Sequence, residues 1–298
     1  MEATDLFSQI LDMEMTQENA IPESDTDFCK ALQEDLDETL RKLKEWYEQL
    51  DKEAETMGHD YMISRFDDGR ISGYQRSSRN SIGKLFRFEP FEAMTSLAKQ
   101  YKTACRYFRN HIIGHFNEKY QIDVKTHTEY DEDDFCINGQ DSPKWEDTVQ
   151  EVITHLGGRT FRETAEEEII STLHKDVTGY RGQMYMKLNG KTITLNRLMY
   201  YSDYWPCQMQ YDSARLLDRI MKGLLLGVIN SINGNYGYIK EFDHDKVAFG
   251  VWYDTITEAI EGVKFYKNGK VDFRFKDAKT AENCWKRLRL DTIPNHES

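Results

Sequence analysis

Residues 263–275 read Val-Lys-Phe-Tyr-Lys-Asn-Gly-Lys-Val-Asp-Phe-Arg-Phe. Apolar and polar side chains alternate on both sides of the Asn268-Gly269 pair, as in two strands that each bury one face. Asn-Gly supplies the two positive φ angles of a type I′ turn, whose twist matches the flanking strands. The stretch therefore predicts an antiparallel hairpin. Asp277 follows it as the N-cap of a final helix.

Three more Asn-Gly pairs, at 138–139, 189–190 and 233–234, mark further predicted turns. The pair at 189–190 joins two short runs, 184–188 and 191–195, into a second hairpin. The most apolar helical pattern of the chain lies in residues 211–232, which predicts a buried central helix. No strand–helix–strand rhythm is visible, so a parallel doubly wound sheet is disfavoured.

The N-terminal half has the 3.6-residue period of amphipathic helices. Leucines in residues 28–57 recur every three or four positions and leave a heavily acidic outer face. Pro90 opens a helix that runs to about Tyr120, and shorter helices are expected near 145–156 and 161–173. The predicted class is α+β, with a helix-rich N-terminal half and a C-terminal half of short antiparallel hairpins around a central apolar helix.

Composition divides the chain into three predicted regions. They are a flexible acidic tail (1–26), a helical region with a basic loop (27–126) and a mixed α+β region (127–298). An alternative division treats 27–298 as one continuous domain.

The net charge of −13 over 298 residues is unevenly distributed. Residues 1–60 carry −13, 61–126 carry +6, 127–178 carry −10 and 179–298 carry +4. A basic segment thus lies between two acidic blocks. Such asymmetry bears on partners rather than on fold.

The basic segment supplies the predicted phosphate-binding residues. Residues 64–84 have no sustained period and many Gly and Ser, which predicts a long basic loop. The helix after Pro90 carries cations at three- and four-residue steps. The predicted nucleic-acid-binding set is Arg65, Arg70, Arg76, Arg79, Lys84, Arg87, Lys99, Lys102, Arg106 and Arg109. The competing interpretation is a solvated surface, or one neutralised by the acidic blocks.

A second combination of rings and cations lies between 180 and 205. Its tyrosines and one tryptophan interleave with arginines and lysines, as in surfaces that stack bases. Packing in the core and in a hairpin explains the same pattern.

Known catalytic templates fail at specific residues. A phosphate-cradling loop around Gly83-Lys84 needs a glycine where Ser78 stands and Ser or Thr where Leu85 stands. His111 and His115 have the spacing of two metal ligands, with Glu118 as a third in principle. Ile112 occupies the position of the catalytic glutamate of His-Glu-x-x-His metalloproteases, so histidines near a helix end are the favoured interpretation.

Two carboxylate clusters remain as candidates for a divalent-ion site of a nuclease. One contains Asp243 and Asp245, and the other is the acidic loop 129–134. A polar turn explains each of them, so no metal and no cofactor are predicted.

The cysteines and the chain ends indicate a cellular setting. Five scattered cysteines without a Cys-x-x-Cys pair are typical of reduced thiols in a cytoplasm. The N-terminus is acidic, unlike a signal peptide. The longest apolar run, 223–229, is far shorter than the roughly 18 residues of a membrane span. A cytoplasmic protein without a membrane partner is therefore expected.

Residues 211–223 (Tyr-Asp-Ser-Ala-Arg-Leu-Leu-Asp-Arg-Ile-Met-Lys-Gly) and 265–275 (Phe-Tyr-Lys-Asn-Gly-Lys-Val-Asp-Phe-Arg-Phe) resemble a bacterial domain-of-unknown-function family. Its members occur in phages, plasmids and integrated elements, some with an attached adenine-methyltransferase domain. The resemblance covers roughly residues 28–290 and corresponds to a core helix and a hairpin. It implies a scaffold and a setting in mobile DNA. The chain lacks the methyltransferase half, so that activity is not inherited.

These observations favour a non-catalytic, nucleic-acid-associated accessory protein of a phage or mobile element. One alternative is an acidic interaction protein that inhibits or regulates a host defence or DNA-modification enzyme, with its partner bound through the acidic N-terminal region. The other alternative is a metal-dependent nuclease. The sequence does not predict an oligomeric state.

Overall fold

The computed structural model describes residues 21–56, 61–65, 71–75, 90–128, 142–178, 186–202 and 207–293, and within 54–92 it describes the backbone alone. The fold is α+β, as predicted. The chain divides into two compact units. Unit 1 comprises Met1–Lys119 and Val124–Thr160, and unit 2 comprises Tyr120–Asp123 and Phe161–Ser298.

The described part of unit 1 contains three helices, all of which the sequence predicts: α1 (Glu23–Thr56), α2 (Pro90–Tyr120) and α3 (Trp145–Leu156). The predicted periodic stripes form the core: Leu36, Leu40, Leu43 and Tyr47 from α1, and Met94, Ala98, Tyr101, Phe108 and Ile112 from α2 are buried. Gln33 fixes α3 on α1, because its side chain accepts from Trp145 N at 2.9 Å and donates to the Pro143 carbonyl at 3.2 Å.

Helix α1 begins inside the segment that was predicted to be a flexible acidic tail. Residues 23–26, included in that predicted tail, are helical, and Asp25 is completely buried. Residues 1–20 lie outside the described part of the chain.

The prediction of a long basic loop over 64–84 is wrong in part. Strands β1 (Tyr61–Arg65) and β2 (Ile71–Gln75) pair antiparallel, with Arg65 opposite Ile71. Each strand has five residues, which is too short for a period-two pattern to stand out among the surrounding Gly and Ser.

Among its described residues, unit 2 combines three α-helices with a five-stranded sheet. Its elements are α4 (Phe161–Thr178), β3 (Met186–Asn189), β4 (Thr192–Leu195), α5 (Tyr211–Ile229), β5 (Trp252–Asp254), β6 (Ile260–Phe265), β7 (Val271–Phe275) and α6 (Ala278–Arg287). The strand order is β3-β4-β7-β6-β5, and all neighbours are antiparallel. Helix α5 packs between α4 and α6, and α6 packs on the sheet through β3, β4 and β7. None of the helices in the described ranges has the length and apolarity to span a bilayer.

Both best-supported hairpins and the final helix are confirmed. Asn189-Gly190 connects β3 to β4, Asn268-Gly269 connects β6 to β7, and the Asp277 side chain caps α6 by accepting from Thr280 N at 2.7 Å. The predicted central helix is confirmed as α5, in which Leu217, Ile220, Met221, Leu224 and Leu225 are buried.

The predicted type I′ turns are wrong. In each pair only the glycine has a positive φ, +56° at Gly190 and +79° at Gly269. Around Gly269, its N–H donates to the Tyr266 carbonyl at 3.0 Å, and Tyr266 N donates to the Lys270 carbonyl at 3.0 Å. This is a three-residue hairpin loop that ends in a left-handed glycine.

The Asn233-Gly234 pair does not join two strands. It follows α5, and a Cβ on Gly234 would lie 2.8 Å from the Lys222 Cα. The glycine is thus needed for close approach to the helix backbone, which the dipeptide alone does not distinguish from a turn. The pair at 138–139 lies outside the described residues.

Candidate nucleic-acid interface

Four of the predicted phosphate-binding residues lie along one side of α2 with described side chains. Lys99 is exposed, and Lys102, Arg106 and Arg109 are half-buried. We call these four the α2 basic row. At a rise of about 1.5 Å per residue the row extends over about 15 Å, the axial length of about four base pairs. Half-burial is usual for cations whose aliphatic stems cover apolar surface while their charged ends reach water.

The other predicted cations are not described at side-chain level. Arg65 ends β1, with only its backbone described, and Arg70, Arg76, Arg79, Lys84 and Arg87 lie outside the described residues. The structure therefore brings together the helical members of the set. A joint surface with residues 65–87 stays a prediction.

A groove of about 490 Å³ lies between α1 and α2, with Lys99 of the row in its lining. Two aromatic rings border it: Trp46 of α1 is 54% exposed and Tyr107 of α2 is 64% exposed. The Arg106 guanidinium carbon lies 5.5 Å from the centre of the Tyr107 ring, a cation–π distance. Exposed rings beside cations are the combination on which bases stack.

Two cations of α1 near this groove are paired with carboxylates of the same helix. Arg41 Nη1 lies 2.6 Å from Glu45 Oε1, and Lys42 Nζ lies 2.6 Å from Glu38 Oε1. All four side chains are about half exposed, so each pair contributes little to stability.

His115, one of the two histidines with metal-ligand spacing, has a structural partner. Its Nε2 lies 2.8 Å from Asp25 Oδ1, and its ring stacks on Phe28 with centroids 4.0 Å apart. Lys119 Nζ lies 2.5 Å from the same carboxylate oxygen. These contacts join the first turn of α1 to the last turns of α2. The sequence pattern does not identify Asp25 as a partner of these side chains, because the residue lies in the predicted acidic tail.

The predicted carboxylate cluster in unit 2 is brought together. Asp243, His244 and Asp245 have potential ligand atoms within 4.8 Å of one another, and among the described residues no other such group of three occurs. Asp245 N donates to Asp243 Oδ1 at 2.9 Å, and Gln208 Nε2 donates to Asp245 Oδ1 at 2.7 Å. Both contacts are those of a hydrogen-bonded polar turn. The other cluster, 129–134, lies outside the described residues.

Two buried thiols and one half-buried thiol are poorly suited to nucleophilic chemistry. Burial is the largest cause that raises the pKa of Cys29 and Cys284 to about 12 each and that of Cys105 to about 11. Because the thiolate is the reactive form, these groups are protonated and unreactive near neutral pH.

The outer face of the unit 2 sheet is a candidate binding surface that was not predicted from the sequence. Trp252 lies on this face, and Tyr266 follows β6 beside it. Lys264 and Arg274 alternate along β6 and β7 with the buried Val263 and Phe273. The period-two alternation of 263–275 already assigns Lys264 and Arg274 to one face. What was missing was the neighbouring strand that carries Trp252.

No protein-family model, curated protein or solved structure matches this chain. The resemblance carried by 211–223 and 265–275 therefore stays a prediction. In the structure the first stretch forms most of α5, and the second forms the end of β6, the loop after it and β7.

Proposed function

We propose that this protein is a non-catalytic, nucleic-acid-associated accessory protein that holds backbone phosphates on the α2 basic row. The observation that carries the proposal is the placement of four cations over about 15 Å of one helix side, next to the exposed rings of Trp46 and Tyr107. A phage or other mobile element is the setting that the resemblance implies.

The arrangement suits sequence-independent binding. Lysine and arginine contacts to phosphates position a protein on nucleic acid without reading bases. The chain as a whole is acidic, at −13, so binding depends on a local concentration of positive charge. The α2 basic row places four cations on one side of a helix and so provides that concentration.

Charge reversal in the row provides the test. For Arg106→Glu with Arg109→Glu, we expect the affinity for a labelled DNA duplex to fall at least about tenfold at low salt. Loss of two phosphate contacts should also reduce the slope of log K against log salt by about two. Fluorescence anisotropy at several salt concentrations measures both quantities.

A matched control keeps the same net charge. Lys125→Glu with Lys144→Glu reverses two exposed cations of unit 1 that lie outside the row. We expect this variant to bind duplex within about threefold of the wild type, since only the long-range field changes. Equal losses in both double variants would assign binding to overall charge and contradict a site on α2.

A second candidate function is favoured by the exposed carboxylates of α1. Glu34, Asp35, Glu45 and Glu48 are exposed on this helix, and their charge could mimic that of DNA toward a basic protein. A stoichiometric partner that co-purifies with the wild type and is lost with Glu34→Lys and Asp35→Lys would support an interaction protein that regulates a host enzyme.

The nuclease alternative depends on the Asp243–His244–Asp245 cluster. Cleavage of nucleic acid with added magnesium or manganese, abolished by Asp243→Ala or Asp245→Ala, would replace the non-catalytic proposal.

A further inference from the structure

We propose that the outer face of the five-stranded sheet in unit 2 binds single-stranded nucleic acid, with bases stacked on Trp252 and Tyr266 and phosphates held by the lysines around them. The inference rests on the proposed nucleic-acid function and deepens it, because it names a ligand class and a second surface.

The alternation of the strands separates this face from the core. Val263, Phe265 and Phe273 are completely buried on the side where α6 packs. Side chains at the intervening positions point the other way, and solvent reaches them: the Arg274 side chain is 30% exposed and that of Lys270 is 31% exposed. Trp252, Lys264 and Tyr266 are half-buried, so solvent reaches part of each of these side chains.

Two rings on the outer face are surrounded by cations. The Arg274 guanidinium carbon lies 4.4 Å from the centre of the Trp252 ring, and Lys264 Nζ lies 5.7 Å from it. Lys264 Nζ is also 5.3 Å from the Tyr266 ring, and Lys270 Nζ is 4.6 Å from that ring. Lys264 thus lies between the two rings. A planar guanidinium on an indole also offers a surface on which a base can stack.

Tyr266 is held in place by a buried hydrogen-bond network. Its hydroxyl donates to Asp272 Oδ2 at 2.8 Å, while Thr194 Oγ1 donates to Asp272 Oδ1 at 2.7 Å. Lys270 Nζ lies 3.2 Å from Asp272 Oδ2. Burial, followed by the hydrogen bond to Asp272, raises the pKa of Tyr266 to about 12, so the phenol stays a donor. A ring fixed in this way loses little conformational entropy on binding.

The charge of the face is complementary to a phosphate backbone. Its cations are Lys187, Lys191, Lys264, Lys270 and Arg274, against the carboxylates of Asp254, Glu261 and Asp272. Glu261 is engaged within the face, because its Oε2 lies 3.0 Å from Lys191 Nζ and 3.3 Å from Arg274 Nε. A net positive sheet face on an acidic protein is a local attraction for anions.

The two aromatic rings favour single-stranded over double-stranded nucleic acid as the ligand. In a duplex the base faces are stacked on each other, so they are not available to protein rings, whereas single strands can splay their bases onto aromatic side chains. An acidic peptide would meet the same cations but would have no base to stack on Trp252.

Trp252 provides a direct readout when Trp46, which borders the α1–α2 groove, is first replaced by Phe. In this Trp46→Phe background we expect a dodecameric oligothymidylate to quench the protein fluorescence. Adding Trp252→Phe should remove most of that quench while retaining affinity within about threefold, since Phe also stacks. Adding Trp252→Ala instead should lower the affinity about tenfold or more.

Lys264→Ala is the second variant, and it leaves both rings in place. We expect it to weaken oligothymidylate binding about threefold and to reduce the salt slope by about one. Circular dichroism checks that each variant is folded. Oligothymidylate binding that is unchanged in both Trp252→Ala and Lys264→Ala would overturn the inference, and so would equal competition by a polyglutamate peptide.

The outcomes separate this inference from the proposed function. One outcome overturns only the sheet surface: duplex binding depends on Arg106 and Arg109, while oligothymidylate binding is unchanged by substitution of Trp252. Trp252-dependent binding that survives Arg106→Glu with Arg109→Glu supports the sheet surface by itself.

Discussion

Asp25→Ala should lower the free energy of unfolding by about 3 kcal/mol. The carboxylate is completely buried, and it accepts from two side chains that are each only 25% exposed, His115 at 2.8 Å and Lys119 at 2.5 Å. Removing one member of a buried charge network leaves its partners desolvated without that counter-charge, which costs more than the lost contact alone. Urea unfolding followed by circular dichroism measures the change.

Asp27→Ala is the matched control, since Asp27 is an exposed carboxylate two residues further along α1. We expect it to change stability by no more than about 0.5 kcal/mol. Similar losses for Asp25→Ala and Asp27→Ala would mean that helix-end charge, rather than the buried network, accounts for the effect.

Gly269→Ala should destabilise the protein by about 3 kcal/mol. The glycine has φ +79°, and a Cβ there would lie 2.5 Å from the Met199 carbonyl oxygen. This approach is fixed, because the Gly269 carbonyl accepts from Leu198 N at 2.8 Å and from Met199 N at 3.0 Å. The new methyl group therefore meets backbone that cannot move without breaking these hydrogen bonds.

Gly190→Ala measures the cost of a positive φ without a steric clash, in the same unfolding experiment. Gly190 also has a positive φ, +56°, but a Cβ there meets nothing within 4 Å. We expect a loss of about 1 kcal/mol from the left-handed backbone alone. If Gly269→Ala costs no more than Gly190→Ala, the close approach to Met199 is not a stabilising constraint.

The long periodic elements could be predicted because a single physical signal determines each of them. The buried stripes of α1 and α2 and the apolar α5 follow from helical spacing, and the β6–β7 hairpin follows from alternation around Asn268-Gly269. The α2 basic row follows from the same spacing, so its placement on one helix side was predictable.

Other features depend on tertiary contacts that a local pattern does not contain. Asp25 lies in an acidic segment that resembles a tail, and only its meeting with His115 and Lys119 explains its burial. Strand β5 has three residues, too few for a pattern, yet it places Trp252 opposite Lys264. The outer sheet face therefore became visible only once strand order and register were known.

Binding of a labelled duplex by the wild-type protein, measured by anisotropy over a series of sodium chloride concentrations, tests the central claim most directly. Four phosphate contacts on the α2 basic row predict that log K falls against log salt with a slope of about −4. Absence of binding at low salt, or binding that does not change with salt, would contradict it.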